Sequence, residues 1–233
     1  LKITEIVRDQ IIKTQKCISK TEGQIQARDQ VMDYLKKGYS CFVQFDFKNA
    51  FGTVSRDKII KRLLHYKVDK TTINYIITLL NNQKIIYKID GKEEKFEIQR
   101  GVPQGEPLSM VLFALGIDEL LEKCDKMDGI RATSYADDII LSVKEVNCLL
   151  NIIDNFKKWA SEYGLSINVS KTFIGIKDEV PSDIMEKLKD YGANVVQLKE
   201  DVVEYVGLPM TLNEDKINTF IGEKIEKVVA QTE

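Results

Sequence analysis

The sequence has little of what builds specialised scaffolds: it contains four prolines, four cysteines, one tryptophan and one histidine among 233 residues. No Pro-, Ser- or Gly-rich linker and no internal repeat interrupts it, which excludes repeat arrays and low-complexity chains. The cysteines have neither paired nor metal-site spacing, which is typical of a reduced, intracellular protein. The single histidine, His65, lies in a predicted helix and is interpreted as an ordinary packed or surface residue.

Long apolar runs and a strong net charge are also absent. No apolar stretch reaches the roughly 18 residues of a membrane-spanning helix, so we expect no membrane partner. The chain lacks a signal-peptide pattern and a starting Met, so we expect a fragment or a processed piece. The net charge of −2 neither indicates nor excludes a nucleic-acid partner. No basic cluster decides between nucleus and cytoplasm, and the oligomeric state stays open.

What the sequence does contain is a globular balance of 43% apolar and 30% charged residues. Apolar periodicity and caps predict helices over residues 3–16, 24–37, 55–66, 71–80, 108–123, 146–163 and 182–191, and from 213 onward. Alternating segments predict strands over 41–47, 85–89, 96–98, 167–177 and 202–208, and a strand–turn–strand over 132–143. Asp90 and Gly91 are predicted to form the turn of a hairpin. This mixed order predicts an α+β fold, an antiparallel sheet backed by helices.

Carboxylates interrupt two of the predicted strands. Asp46 lies between two phenylalanines, and the adjacent Asp137 and Asp138 stand in the middle of residues 132–143. Unpaired carboxylates in apolar surroundings are costly, and neighbouring like charges raise that cost. A divalent cation such as Mg²⁺ would relieve both, although an Asp at a strand end or hairpin tip is also ordinary turn chemistry. The residues alone do not show that the two acidic sites meet.

Five blocks between residues 42 and 208 resemble the motifs of reverse transcriptases, in the family's order. They are residues 45–51 (FDFKNAF), 100–109 (RGVPQGEPLS), 135–138 (YADD), 164–172 and 205–208 (YVGL). Together they look most like retrotransposon enzymes without long terminal repeats, with group II intron and retron enzymes as relatives. The resemblance implies an RNA-directed DNA polymerase with a right-hand fold. It implies partial fingers over 1–40, a palm over 41–209 with a finger insertion at about 56–100, and the start of a thumb over 210–233.

The resemblance also implies the catalytic residues. Asp46, Asp137 and Asp138 match the three metal-binding aspartates, and the backbone carbonyl of Phe47 would also face a metal. Two Mg²⁺ ions, with Mn²⁺ as a possible substitute, would serve the transfer of a nucleotide to a primer 3′-hydroxyl. Lys171 matches a lysine proposed to give a proton to the leaving pyrophosphate.

Substrate contacts follow in the same way. Phe51 matches the aromatic residue under the incoming sugar, where it would select deoxynucleotides, although core packing would also explain a phenylalanine. Gln104 and Gly105 match the loop that touches the nucleotide and template. The implied partners are an RNA template, a DNA or RNA primer and dNTPs. Gly52 departs from the pattern, because many relatives carry an Asp there.

Three questions stay open at the level of sequence. One alternative is an RNA-directed RNA polymerase, against which the Tyr-Ala-Asp-Asp block and Phe51 argue. Another is a catalytically inert RNA-binding fragment or scaffold, against which the three retained aspartates argue. Finally, the basic residues within 56–70 would equally suit phosphate contacts or a solvated helix face.

Overall fold

Helices and strands follow one another in an irregular order, as expected of an α+β fold. The structure, a computed structural model, describes residues 2–11, 13–89 and 92–230. The helices within these residues are α1 (Lys2–Ile11), α2 (Gly23–Lys36), α3 (Ala50–Thr53), α4 (Arg56–His65), α5 (Lys70–Asn81), α6 (Pro107–Asp125), α7 (Leu149–Glu162), α8 (Ser182–Asp190) and α9 (Glu214–Ala230). The strands are β1 (Cys41–Phe45), β2 (Lys84–Ile89), β3 (Lys92–Glu97), β4 (Ile130–Tyr135), β5 (Asp138–Val143), β6 (Phe173–Ile176), β7 (Asn194–Gln197), β8 (Val203–Tyr205) and β9 (Leu208–Met210). Over the described ranges, no helix combines the length and apolarity needed to cross a membrane.

A five-stranded sheet in the order β4-β5-β1-β6-β7 is the centre of the fold. Strand β1 lies in the middle and pairs antiparallel with both β5 and β6. The last pair, β6 and β7, is parallel, and helix α8 provides the crossover that parallel neighbours need. The predicted antiparallel sheet is confirmed, with a parallel edge strand in addition.

Each face of the sheet covers a separate apolar core, because successive side chains on a strand point to opposite faces. Val43, Phe45 and Leu141 face a core that includes residues of α6 and α7, where the Phe45 and Phe156 ring centroids lie 4.3 Å apart. The other face carries Phe42 and Ile140, which pack with residues of α2 and of the β8–β9 hairpin. The sheet is therefore held from both sides and offers a rigid platform at its strand ends.

Three predicted elements differ most clearly from the observed ones. Helix α1 ends at Ile11 instead of reaching residue 16, because the following backbone pairs with β4, including a bridge between Gln15 and Ser134. The strand predicted over 167–177 begins only at residue 173, after a 3-10 turn (Val169–Lys171) that the Asn168 carbonyl closes by accepting from the Lys171 N–H. Strand 202–208 is instead the hairpin β8–β9.

Two positive backbone angles explain the β8–β9 hairpin. Val206 has φ 48° and Gly207 has φ 83° between the paired residues Tyr205 and Leu208. Positive φ at both central residues is the geometry of a tight two-residue hairpin turn. In the β2–β3 hairpin both predicted strands are present, whereas its predicted turn residues, Asp90 and Gly91, lie outside the described part of the chain.

Candidate active site

The sheet register brings the predicted acids to one strand end. Asp46 directly follows β1, and Phe45 at the end of that strand pairs with Ile139 of β5. One step further along the same antiparallel register, Asp46 and Asp138 lie opposite each other, on the face that also carries Phe42 and Ile140. Asp137 occupies the two-residue turn that joins β4 to β5, since Tyr135 pairs with Asp138. The strand pairing therefore unites two acidic sites that are far apart in the sequence.

The three carboxylates interact unfavourably where they meet. Burial, together with the negative charges of Asp137 and Asp46, raises the pKa of Asp138 to about 6. Burial also raises the pKa of Asp137, with Asp46 adding to the rise while the Asp137 backbone N–H works against it. A bound cation would stabilise such a half-buried group of like charges.

The donor set fits an open magnesium site better than a closed metal cage. Among residues 2–11, 13–89 and 92–230, no group of three or more His, Cys, Asp and Glu side chains is already arranged to enclose a metal ion. Mg²⁺ does not require such a cage, because it usually takes one or two carboxylates and completes its shell with waters and substrate phosphates. The carboxylate oxygens of Asp46, Asp137 and Asp138 are donors of the type that such a site uses.

A cleft of about 500 Å³ adjoins the acids. Phe51, Gln104 and Gly105 line it together with Met110 and Asp137. The half-buried ring of Phe51 stacks on Phe113 of α6, with ring centroids 4.4 Å apart and planes 17° apart. The predicted sugar-contacting and loop residues thus share one cavity with a predicted catalytic acid.

Gly101 fits the substrate loop closely against the segment that carries Phe51. Its φ is +76°, and a Cβ at this position would collide with the backbone carbonyl of Gly52. The neighbouring Val102 N–H donates to the Phe51 carbonyl at 2.7 Å. A side chain at residue 101 would therefore push the loop away from the cleft. At Gly52, a Cβ would meet the Asn49 amide at 2.5 Å, so an Asp at this position would need Asn49 to move.

Comparison with known proteins agrees with this geometry. The sequence profile described as "Reverse transcriptase (RNA-dependent DNA polymerase)" matches residues 2–210.

The chain belongs to the reverse transcriptase family.

Curated relatives of this reverse transcriptase domain are retrotransposon polyproteins. It is 29% identical over 187 residues to the retrovirus-related Pol polyprotein of the type-2 retrotransposable element R2DM of Drosophila melanogaster, covering 74% of this chain and 18% of that protein. It is 28% identical over 195 residues to the R2 Pol polyprotein of Bradysia coprophila, covering 78% of the chain and 22% of that protein. The chain thus spans about a fifth of the length of these relatives. The predicted likeness to retrotransposon enzymes without long terminal repeats is confirmed.

Solved structures support the fold. Apo telomerase from Candida tropicalis, truncated from its C-terminal domain, superimposes with a TM-score of 0.64 at 16% identity, over 91% of this chain and 44% of that one. Candida tropicalis telomerase in complex with a fragment of telomeric RNA gives a TM-score of 0.60 at 12% identity, over 77% of this chain and 34% of that one. The predicted α+β polymerase palm is confirmed.

Four predicted site residues do not line the cleft: Asp46 and Asp138, which stand beside Asp137, and also Phe47 and Lys171. The backbone of Phe47 bridges to Ile167, and the adjacent Asn168 N–H donates to the Asp46 carbonyl at 2.8 Å. Lys171 lies at the exposed end of the 3-10 turn that starts from Asn168. Lys171 is therefore three residues from a backbone contact of Asp46, and its role as a proton donor stays a prediction, as does the metal contact of the Phe47 carbonyl.

The reverse transcriptase domain uses much of its basic stretch, residues 56–70, for internal contacts. Arg62 is buried and pairs with Asp118 and Glu122 of α6. Lys58 lies over the Tyr163 ring at 4.0 Å from its centroid. These contacts tie α4 to its neighbours, so a phosphate-binding row over the whole stretch is not what the structure shows. The exposed lysines of the stretch are Lys61, Lys67 and Lys70.

Two residues behind the turn that carries Asp137 were missed by the sequence reasoning. The Tyr205 hydroxyl donates to the Asp138 carbonyl at 3.2 Å, and the buried Gln15 hydrogen-bonds the backbone of Ala136. Tyr205 lies within the YVGL block, so that block pointed to its region. No pattern pointed to Gln15, because helical periodicity runs through it.

Proposed function

We propose that this chain is the palm region of an RNA-directed DNA polymerase, which joins a nucleotide from a dNTP to a primer 3′-hydroxyl on an RNA template. The observation that carries the proposal is the convergence of Asp46, Asp137 and Asp138 beside the cleft lined by Phe51 and Gln104. Family membership supports the same reaction.

The three aspartates and the Phe47 carbonyl would hold two Mg²⁺ ions, with Mn²⁺ as a substitute. Divalent ions in such a site neutralise the charge on the attacking and leaving oxygens of a phosphoryl transfer. The aspartates project from the end of a sheet that is packed on both faces, which would hold their carboxylates in a fixed geometry. The protein therefore acts mainly by positioning and by electrostatics, as phosphoryl transfer requires.

The cleft supplies the substrate contacts. The Phe51 ring, fixed by its stack on Phe113, would lie against the sugar and exclude a 2′-hydroxyl. Gln104 and Gly105 are exposed on the loop that lines the same cavity and would contact the nucleotide and template. Lys171 would donate a proton to pyrophosphate.

The proposed partners are an RNA template, a DNA or RNA primer and dNTPs. The proposed division places partial fingers in residues 1–40, the palm in 41–209 with a finger insertion at about 56–100, and the start of a thumb in 210–233. The packing of α2 under the central sheet supports a close union of the first two regions.

Primer extension on an RNA template by the complete protein tests the proposal, with Asp137→Asn as the decisive variant. We expect extension to fall by about a thousandfold or more, because metal ligation of a reacting phosphate contributes several kcal/mol. Asp178→Asn is the matched control, since Asp178 is exposed and pairs with the exposed Lys199 at 3.1 Å. Unchanged extension by Asp137→Asn would remove the catalytic assignment.

A further inference from the structure

The turn that presents Asp137 has an unfavourable backbone. Ala136, the first of its two central residues, has φ 55°, a left-handed conformation that glycine adopts easily and alanine does not. A two-residue hairpin with such a first position normally carries glycine there. Something outside the turn must therefore hold Ala136 in place.

Gln15 makes contacts that can do so. Its Oε1 accepts a hydrogen bond from the Ala136 N–H at 2.8 Å, and its Nε2 donates to the Ala136 carbonyl at 3.1 Å. One amide side chain thus pairs with both polar groups of a single backbone residue. The side chain is fully buried, so water does not compete for these hydrogen bonds.

The backbone on both sides of Gln15 is hydrogen-bonded to strand β4, which leads into the turn. The Ser134 N–H donates to the Thr14 carbonyl at 2.6 Å, and the Lys16 N–H donates to the Ser134 carbonyl at 2.8 Å. The Cys17 N–H also donates to the Gln15 Oε1, at 3.3 Å, which further restrains the amide. The side chain therefore reaches the turn from a backbone that is aligned with β4, and it has little freedom to move away.

We propose that Gln15 is a positioning residue of the polymerase: by holding Ala136 in its left-handed conformation, it sets the direction in which Asp137 and Asp138 leave the turn. The Tyr205 hydroxyl donates a hydrogen bond to the carbonyl of Asp138, two residues after Ala136. The turn is therefore fixed at two points. The inference rests on the proposed function, because it concerns the geometry of that reaction.

The test compares Gln15→Met, which keeps most of the side-chain volume but loses both hydrogen bonds to Ala136, with the unaltered complete protein. We expect kcat for primer extension to fall about 10- to 100-fold, the range typical of residues that orient metal ligands. The KM for dNTP should change much less, because Phe51, Gln104 and Gly105 still line the cleft. The Ala136 amide hydrogen should exchange with solvent faster in the variant.

Gln26→Met is the matched control. Gln26 also links two polar groups of the N-terminal region, Ser19 and the Thr21 carbonyl, but its contacts lie away from the turn. Equal kcat losses in the two variants, or an unchanged kcat per folded molecule in Gln15→Met, would overturn the proposal. Gln15→Asn, whose amide is one methylene too short to reach both groups, replaces Gln15→Met if that variant does not fold.

Amide exchange separates this inference from the proposed function. In the unaltered protein, we expect the Ala136 N–H to be protected, although it lies in a turn. Exchange at the rate of an unstructured amide would overturn the role of Gln15, whatever the activity. Absence of extension by the unaltered protein would instead overturn the proposed function.

Discussion

The proposed selection of the sugar depends on one residue, Phe51. Its stacking on Phe113 with a 17° interplanar angle limits how far it can swing out of the cleft. The side chain is only half-buried, so one face stays available to a ligand. Its position is therefore compatible with both roles that the sequence suggests for Phe51, core packing and substrate contact.

Phe51→Ala separates these two roles. We expect incorporation of rNTP relative to dNTP to rise by roughly 10-fold or more, because removing the ring opens space for a 2′-hydroxyl. Single-nucleotide incorporation with each substrate measures the ratio. Phe96→Ala, which removes an exposed ring on β3, serves as the control. Preference of the unaltered protein for rNTP would favour the RNA polymerase alternative instead.

At the scale of elements, one buried ion pair joins α4 to α6. Helix α6 is almost uniformly apolar over the stretch predicted from the sequence, yet Asp118 lies within it at 1% exposure. Its carboxylate accepts hydrogen bonds from Arg62 and from the Tyr66 hydroxyl, the latter at 2.5 Å. Burial raises the pKa of Asp118, while Tyr66 and Arg62 work against the rise. The pair is thus a fixed contact between the two helices.

Removing that carboxylate should be strongly destabilising. We expect Asp118→Ala to lower the free energy of unfolding by about 3–5 kcal/mol, because the buried Arg62 would lose its buried partner and keep its contact with the more exposed Glu122. Urea denaturation followed by circular dichroism measures the loss. Asp183→Ala, which breaks an exposed pair with Lys187 on α8, should cost at most about 1 kcal/mol. Similar losses in both variants would contradict this account.

Which elements could be predicted depends on where their partners lie. Helices α4 and α5 have local caps, Ser55 and Asp69, whose side chains accept from the Lys58 and Thr72 backbone N–H groups. The helix predicted over 55–66 begins at the Ser55 cap, whereas the helix predicted over 71–80 begins two residues after the Asp69 cap. Strand β7 was not predicted, because its pairing with β6 depends on a parallel crossover and its residues are half-exposed or exposed.

The candidate site divides in the same way. Asp46, Phe51, Gln104 and the two adjacent acids could be found because they lie in contiguous blocks. Gln15 could not, because its function depends on a strand more than a hundred residues later, and the spacing of Ile3, Val7 and Ile11 continues the helical pattern toward it. Local sequence patterns therefore identify the proposed substrate-contacting residues more readily than the residues that position them.

At the scale of the whole molecule, the acids stand at the edge of two cores that share one sheet. The net charge of −2 conceals a local excess of negative charge at the strand ends. The repulsion between these acids destabilises the fold locally, and the packing of the sheet on both faces offsets that cost. The stability of the whole domain thus maintains the geometry of the site.

Cysteine labelling reports on that global packing. Burial raises the pKa of both Cys41 and Cys124 to about 12, so at pH 8 they remain thiols, while the thiolate is the reactive form. We expect a thiol reagent to modify the exposed Cys148 first and to reach the two buried cysteines only on unfolding. Mass spectrometry of labelled peptides measures the order. Cys148→Ser should remove the fast phase, and rapid labelling of Cys41 in the folded protein would contradict the packing.

The guanidinium of Arg56 has a mechanical consequence. It donates to the carbonyls of Gly101, at 2.9 Å, and of Ile98, at 2.8 Å, and to the Gln83 side chain at 3.1 Å. The planar guanidinium thus links the base of the β2–β3 hairpin to the loop beside the cleft. We therefore expect a displacement of the hairpin to be transmitted to this loop as long as the hydrogen bonds of Arg56 persist.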